Sequence, residues 1–232
     1  PGWAYGPAAL QPLCEALTEL DPDLDVVIEP LPELADPEAW LDELDRRLPD
    51  DSWLAGWSLG GMLAAQLAAR RLDSCRGLVT IASNPCFRAR PQWPEAMAAE
   101  IFDAFQEAFR LDPEETLKRF RLLCSRGGYD PRTLARQLEV SQSDSTSAVL
   151  EAGLRLLAEL DGRGALHGYF GPQLHLFAGG DALVPSTACD ALRRWMPGVE
   201  AELIASTSHA LPLERPDDVA ATITAFIKSK AE

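Results

Sequence analysis

The chain has 232 residues, 47% of them hydrophobic, which is enough for one substantial globular domain with room for an inserted subdomain. Thirty-six acidic residues against 21 basic ones give a net charge of −15, so the protein repels polyanions and nucleic acid is excluded as a partner. No apolar run approaches the roughly 20 residues that span a bilayer, and no basic segment leads into an apolar one at the N-terminus, so a cytoplasmic, monomeric protein away from membranes is expected.

In chain order, short apolar runs alternate with longer segments of helical period. Strands are predicted at 25–29, 52–55, 77–82, 173–177 and 200–204, and helices at 8–20, 37–48, 59–71, 186–195 and 216–228. That alternation is the signature of a mostly parallel sheet covered by helices. Residues 92–166 break it, reading as helix after helix at 95–110, 113–125, 131–140 and 147–160. The expected organisation is therefore an α/β core of residues 1–91 and 167–232 with a helical lid inserted at 92–166. The five cysteines (Cys14, Cys75, Cys86, Cys124, Cys189) are odd in number and lack Cys-x-x-Cys spacing, which suggests neither a disulfide framework nor a zinc site. No metal or cofactor is expected.

Gly56-Trp57-Ser58-Leu59-Gly60 fits G-x-S-x-G, with a predicted strand before it and a predicted helix after it. In such an elbow the serine projects at the carboxyl end of the sheet, and the N–H of Leu59 points at a developing oxyanion. Alternatively, Ser58 caps the helix that follows. A serine nucleophile needs a base, and the chain has three histidines. His175 lies within a predicted strand and His167 at the end of the helical block, whereas His209 stands in a loop between a strand and the last helix. Asp181, in the loop after the strand at 173–177, is the carboxylate suited to orient that base; Asp190, the nearest alternative, falls inside a helix. Ser58, Asp181 and His209 occur in the order typical of α/β-hydrolases, each in a loop after a strand.

With these residues in place, "GWSLGGMLAAQLA", "LVTIASNPCF", "GGDALVP" and "SHALPLERP", together with the Trp93-Pro94 pair, resemble the pimeloyl-[acyl-carrier protein] methyl ester esterases of biotin synthesis. The resemblance covers essentially the whole chain. It implies an α/β-hydrolase fold and a serine carboxylesterase that frees the pimeloyl carboxylate on acyl carrier protein, with Ser58 as nucleophile, His209 as base and Asp181 as orienting acid. It also implies an oxyanion hole from the backbone N–H groups of Leu59 and Trp3, where "PGW" departs from the family's His-Gly-Trp by a proline at position 1. In this fold a strand runs directly into that loop, so further residues are expected before Pro1 in the natural protein.

Between Arg110 and Arg136 seven basic residues face four acidic ones, a local charge of +3 in an otherwise acidic chain. Such a surface suits an acidic partner. By resemblance Arg119, Arg132 and Arg136 occupy carrier-contacting positions, with Glu115 where another arginine is usual, and Phe120, Arg121, Leu122, Leu123 and Cys124 align with a segment lining the acyl channel. Phe120, Leu123 and Cys124 serve equally as lid-to-core packing, and Trp3 and Trp57 either narrow the substrate pocket or are core aromatics. A broad short-chain esterase acting on small esters is the nearest rival reading. A non-catalytic binding module on the same fold is the rival from another class.

Overall fold

The computed structural model describes residues 1–230. Four parallel strands, β1 (Ser52–Trp57), β2 (Cys75–Ile81), β3 (Gln173–Ala178) and β4 (Glu200–Ile204), lie side by side in chain order. Helices cover both faces, which is why β2 and β3 are nearly continuous apolar runs rather than alternating ones. Trp57 pairs with Ile81, Ile81 with Leu176, and Ala178 with Ile204, so the carboxyl ends are level and the loops leaving β1, β3 and β4 gather at one edge. That edge is where open α/β sheets bind ligands.

Around the sheet lie α1 (Gln11–Leu20), α2 (Trp40–Arg47), α3 (Leu59–Arg71), α9 (Thr187–Trp195), the single turn α10 (Leu211–Glu214) and α11 (Pro216–Ser229). The helical block holds α4 (Ala99–Leu111), α5 (Pro113–Ser125), α6 (Pro131–Val140), α7 (Ser147–Glu159) and a short α8 (Arg163–Gly168) that the periodicity does not announce. Local sequence starts these helices: Asp112 and Asp130, each followed by proline, accept the N–H groups of Glu115 and Thr133, and Thr146 accepts that of Val149. α4 begins at Ala99 rather than at 95, because residues 88–97 fold back on themselves through Arg88 with Met97 and Arg90 with Trp93. None of the described helices is long and apolar enough to cross a membrane.

The predicted strand at 25–29 is not one. The segment is extended and alternately exposed, with Val27 69% accessible, but joins no ladder among the described residues. It shares with β1 a groove of about 210 Å³ floored by Leu13, Leu63 and Leu67. A short apolar run such as Val26-Val27-Ile28 is compatible with a strand, but a strand also needs a neighbouring backbone about 4.8 Å away to pair with, and no described residue pairs with this one.

Both ends of the helical block are anchored to the end of β2. Asn84 accepts the Trp93 indole N–H at 2.9 Å and donates to the Glu95 carbonyl at 2.8 Å, and Gly162 donates to the Pro85 carbonyl at 2.7 Å. Beside this joint Arg163 holds the Asp161 carboxyl well below the usual carboxylate range, and burial next to Asp161 pushes the Cys86 thiol up to about 11.

Candidate active site

Ser58 sits between β1 and α3 with φ 55° and ψ −119°, a conformation costly for a side-chain-bearing residue. Its surroundings offset that cost. Its N–H donates to the Ile81 carbonyl at 2.9 Å, and its carbonyl accepts from the Ser83 hydroxyl at 2.8 Å and the N–H groups of Gly61 and Met62. A Cβ at Gly56 would collide with the Gly60 backbone, so the turn closes only with glycine there. The result aims Oγ away from the sheet at the amino end of α3, where the helix dipole favours negative charge.

His209 lies 1% exposed in the loop after β4. Its Nε2 is 2.9 Å from Ser58 Oγ and its Nδ1 is 2.7 Å from Asp181 Oδ2. Because a carboxylate only accepts, Nδ1 carries the proton and Nε2 is free to accept from the serine hydroxyl. Asp181 is fixed in turn, since its Oδ1 accepts the N–H groups of Leu183 at 2.7 Å and Val184 at 2.9 Å. Gly179 and Gly180 donate to the carbonyls of Ile204 and Thr207, which ties the acid loop to the base loop.

Beside Ser58, a Cβ on Gly2 would lie 3.3 Å from the serine Cβ, so the 1–6 loop packs closely against the elbow. The backbone N–H groups of Trp3 and Leu59 donate to no protein acceptor among the described residues. This is what a hole for an oxyanion requires, since donors already engaged have nothing to offer a developing charge.

Trp3 is 1% exposed, its indole N–H donating to the Leu150 carbonyl at 2.8 Å and its ring meeting Phe105, Phe109 and Phe120 edge-on. With Phe120 and Leu123 it lines an apolar cavity of about 40 Å³ that Phe87, Phe102 and Phe105 also wall. The other expected channel residues are placed differently. Leu122 is 61% exposed on the outer face of α5, and Arg121 reaches Glu139 on α6 at 3.1 Å. Cys124 is buried beside Tyr5, its thiol pushed well above the usual range by burial, while its carbonyl accepts the Ala210 N–H at 3.2 Å. Five consecutive residues on a helix point in all directions, so one short alignment cannot place all of them on one wall. Of the basic residues, Arg119 is held by Glu115 at 3.2 Å, while Arg132 and Arg136 lie exposed on α6 with no carboxylate within 4.0 Å among the described residues.

A family model described as "Alpha/beta hydrolase family" matches residues 2–222. A pimeloyl-[acyl-carrier protein] methyl ester esterase of Aromatoleum aromaticum is 36% identical over 199 residues, 82% of this chain and 80% of the relative. The chain belongs to the alpha/beta hydrolase family, among relatives of the pimeloyl-[acyl-carrier protein] methyl ester esterases. The biotin biosynthesis bifunctional protein BioHC of Cellvibrio japonicus is 34% identical over 99% of this chain, which spans only 47% of that longer protein. An esterase from Exiguobacterium antarcticum superposes with a TM-score of 0.82 over 98% of this chain and 90% of its own, at 18% identity, a likeness of fold alone.

Two contacts in this alpha/beta hydrolase site escaped the sequence, which placed Trp57 only as a pocket or core aromatic and did not single out Ser83. The Trp57 indole N–H donates to the His209 carbonyl at 2.7 Å across 152 residues of chain, and Ser83 braces the elbow. Trp57 is the second residue of the motif, which marks its place though not its partner; nothing local marks Ser83.

Proposed function

We propose that this protein is a cytoplasmic serine carboxylesterase that hydrolyses the methyl ester of pimeloyl-[acyl-carrier protein]. The observation that carries the chemistry is the continuous hydrogen-bonded chain from Ser58 through His209 to Asp181 beside two backbone N–H groups without protein acceptors. As the hydroxyl oxygen of Ser58 attacks the ester carbonyl, its proton passes to Nε2 of His209, and Asp181 stabilises the imidazolium. The tetrahedral oxyanion accepts hydrogen bonds from the Leu59 and Trp3 N–H groups. Collapse breaks the bond to methoxide, which leaves as methanol with the proton from Nε2. Water, deprotonated by His209, then attacks the acyl-enzyme and releases the carboxylate and Ser58.

The methyl ester and its carrier are read from the relatives' names and from the insertion. Arg132 and Arg136 are four apart on one face of α6 and exposed, as docking an acidic carrier requires. Arg119, drawn toward Glu115, is the weaker contributor. The rival is a broad short-chain carboxylesterase acting on free esters, and the engagement of Arg119 by Glu115 is the observation on its side.

Methanol release from the carrier-bound methyl ester, measured beside hydrolysis of a free short-chain ester, separates the two. Arg132→Glu combined with Arg136→Glu is expected to raise KM for the carrier substrate on the order of tenfold or more, the work of two charge contacts, with small-ester turnover unchanged. Equal behaviour on both substrates favours the short-chain reading.

A further inference from the structure

Behind His209 a second carboxylate is fully engaged. Glu214 closes α10, and its Oε2 accepts both the N–H and the hydroxyl of Ser208 at 2.7 Å. Its Oε1 accepts the N–H of Tyr129 at 2.8 Å. Ser208 is completely buried and directly precedes His209; Tyr129 lies in the turn between α5 and α6. No lysine or arginine lies within 4.0 Å of this carboxylate among the described residues, and the adjacent Arg215 is turned toward Asp218 at 3.3 Å.

The turn is built to lie against these loops. A Cβ on Gly128 would stand 2.7 Å from Glu214 Oε1, and one on Gly127, whose φ is 88°, would collide with the Gly180 carbonyl beside Asp181. One residue stretch of the lid therefore touches the acid loop through Gly127 and the base loop through Glu214. The buried Ser208 N–H has Glu214 as its acceptor, and leaving a buried donor unpaired is costly.

We infer that Glu214 is a positioning residue for His209, fixing the backbone from which the imidazole projects and joining it to the 126–130 turn of the lid. The inference rests on the serine-hydrolase part of the reading above. A ring that must meet Ser58 at 2.9 Å and Asp181 at 2.7 Å tolerates little drift of its loop. Glu214→Gln turns one acceptor oxygen into a donor facing donors. Gly128→Ala keeps the carboxylate and displaces it from the lid side.

The test measures kcat and KM on p-nitrophenyl acetate, the melting temperature, and the downfield proton resonance of the His209–Asp181 hydrogen bond, in both variants and the wild type. The expected result is a kcat lower by on the order of ten- to a hundredfold, KM within about twofold, and a shifted or broadened resonance in folded protein. Wild-type kcat with an unmoved resonance in Glu214→Gln, whatever its melting temperature, overturns the inference. If that variant does not fold, the same readings on Gly128→Ala decide. A wild type inactive on the ester, or an active Ser58→Ala, defeats the serine-hydrolase reading instead.

Discussion

Two histidines are buried in this molecule to almost the same degree, His209 at 1% and His175 at 2% exposure, and their partners make them different groups. At the carboxyl edge of the sheet, His209 faces the carboxylate of Asp181 on one nitrogen and the Ser58 hydroxyl on the other. In mid-sheet, His175 on β3 has Thr80 Oγ1 2.7 Å from Nδ1 and Gln173 Oε1 3.4 Å from Nε2. Gln173 donates its amide N–H groups to the carbonyls of Leu166 and Tyr169, so its oxygen is left to face the imidazole. The neutral tautomer with the proton on Nε2 satisfies that arrangement, and among the described residues no carboxylate pairs with the ring to balance a second proton. Burial therefore brings His175 down to about 4. Depth does not make a base; a buried carboxylate behind the ring does, because it offsets the charge that proton transfer creates.

Converting one environment into the other gives the largest expected effect. Asp181→Asn leaves an amide of the same shape behind His209, able to favour the wrong tautomer, and kcat on any ester is expected to fall by about 10⁴. Ser58→Ala is expected to abolish covalent labelling by a fluorophosphonate probe, and adding the Asp181→Asn change to it should cost little more, since the residues act as one unit. Steady-state kinetics of the three proteins checks this. An Asp181→Asn enzyme within tenfold of the wild type would mean that the carboxylate is not what separates the two histidines.

The sequence distinguishes these histidines by position, and for that purpose position suffices. Ser58, Asp181 and His209 each follow a strand, and parallel strands in one sheet bring their carboxyl ends together, so the site is legible once the strands are. What was not legible is whatever depends on which distant backbone comes near. The indole of Trp57 reaching the His209 carbonyl and the carboxylate of Glu214 reaching Tyr129 join residues 152 and 85 positions apart. The expected strand at 25–29 goes unpaired among the described residues for the same reason: the apolar run can be read locally, but pairing belongs to the neighbour. The expected channel at residues 120–124 shows the converse, a contiguous stretch that the helix distributes between cavity, neighbouring helix and solvent.

His175 offers the next largest effect, on stability. Its pKa is about 4 in the folded protein against an ordinary value near 6.5, so between those values the unfolded chain binds more protons than the native one. The stabilisation is thus complete above about pH 6.5 and is lost as pH falls toward 4, to a total of about 3 kcal/mol. Urea unfolding at pH 7 and pH 4.5 measures the loss, and His175→Gln is expected to flatten that part of the curve. A wild-type stability that is level across the interval would show that a counter-charge serves His175 as Asp181 serves His209.

The smallest expected effect sharpens a second side of the contrast, how each ring is held. His175 is carried by a central strand whose backbone pairs on both sides, opposite Thr80 on β2 and Ala201 on β4, so its ring inherits the rigidity of the ladder. His209 is carried by a loop and is held by scattered contacts rather than a ladder, the Gly180 N–H on the Thr207 carbonyl and the Ala210 N–H on the Cys124 carbonyl among them. Trp57 supplies another, with its indole N–H on the His209 carbonyl and its ring 5.8 Å from the imidazole at 44°. Trp57→Phe keeps an aromatic ring stacked near Tyr5 but leaves that carbonyl without its donor, a loss of about 1 kcal/mol or slightly more. If the hydrogen bond strengthens as the imidazolium forms, the loss appears in kcat, a drop of roughly five- to tenfold with KM unchanged. If it only packs the loop, the melting temperature falls by a few degrees and kcat per folded molecule does not move. Measuring both quantities on one preparation separates a brace for the reacting ring from a brace for the fold, and the strand-borne His175 predicts that a loop-borne base needs the first.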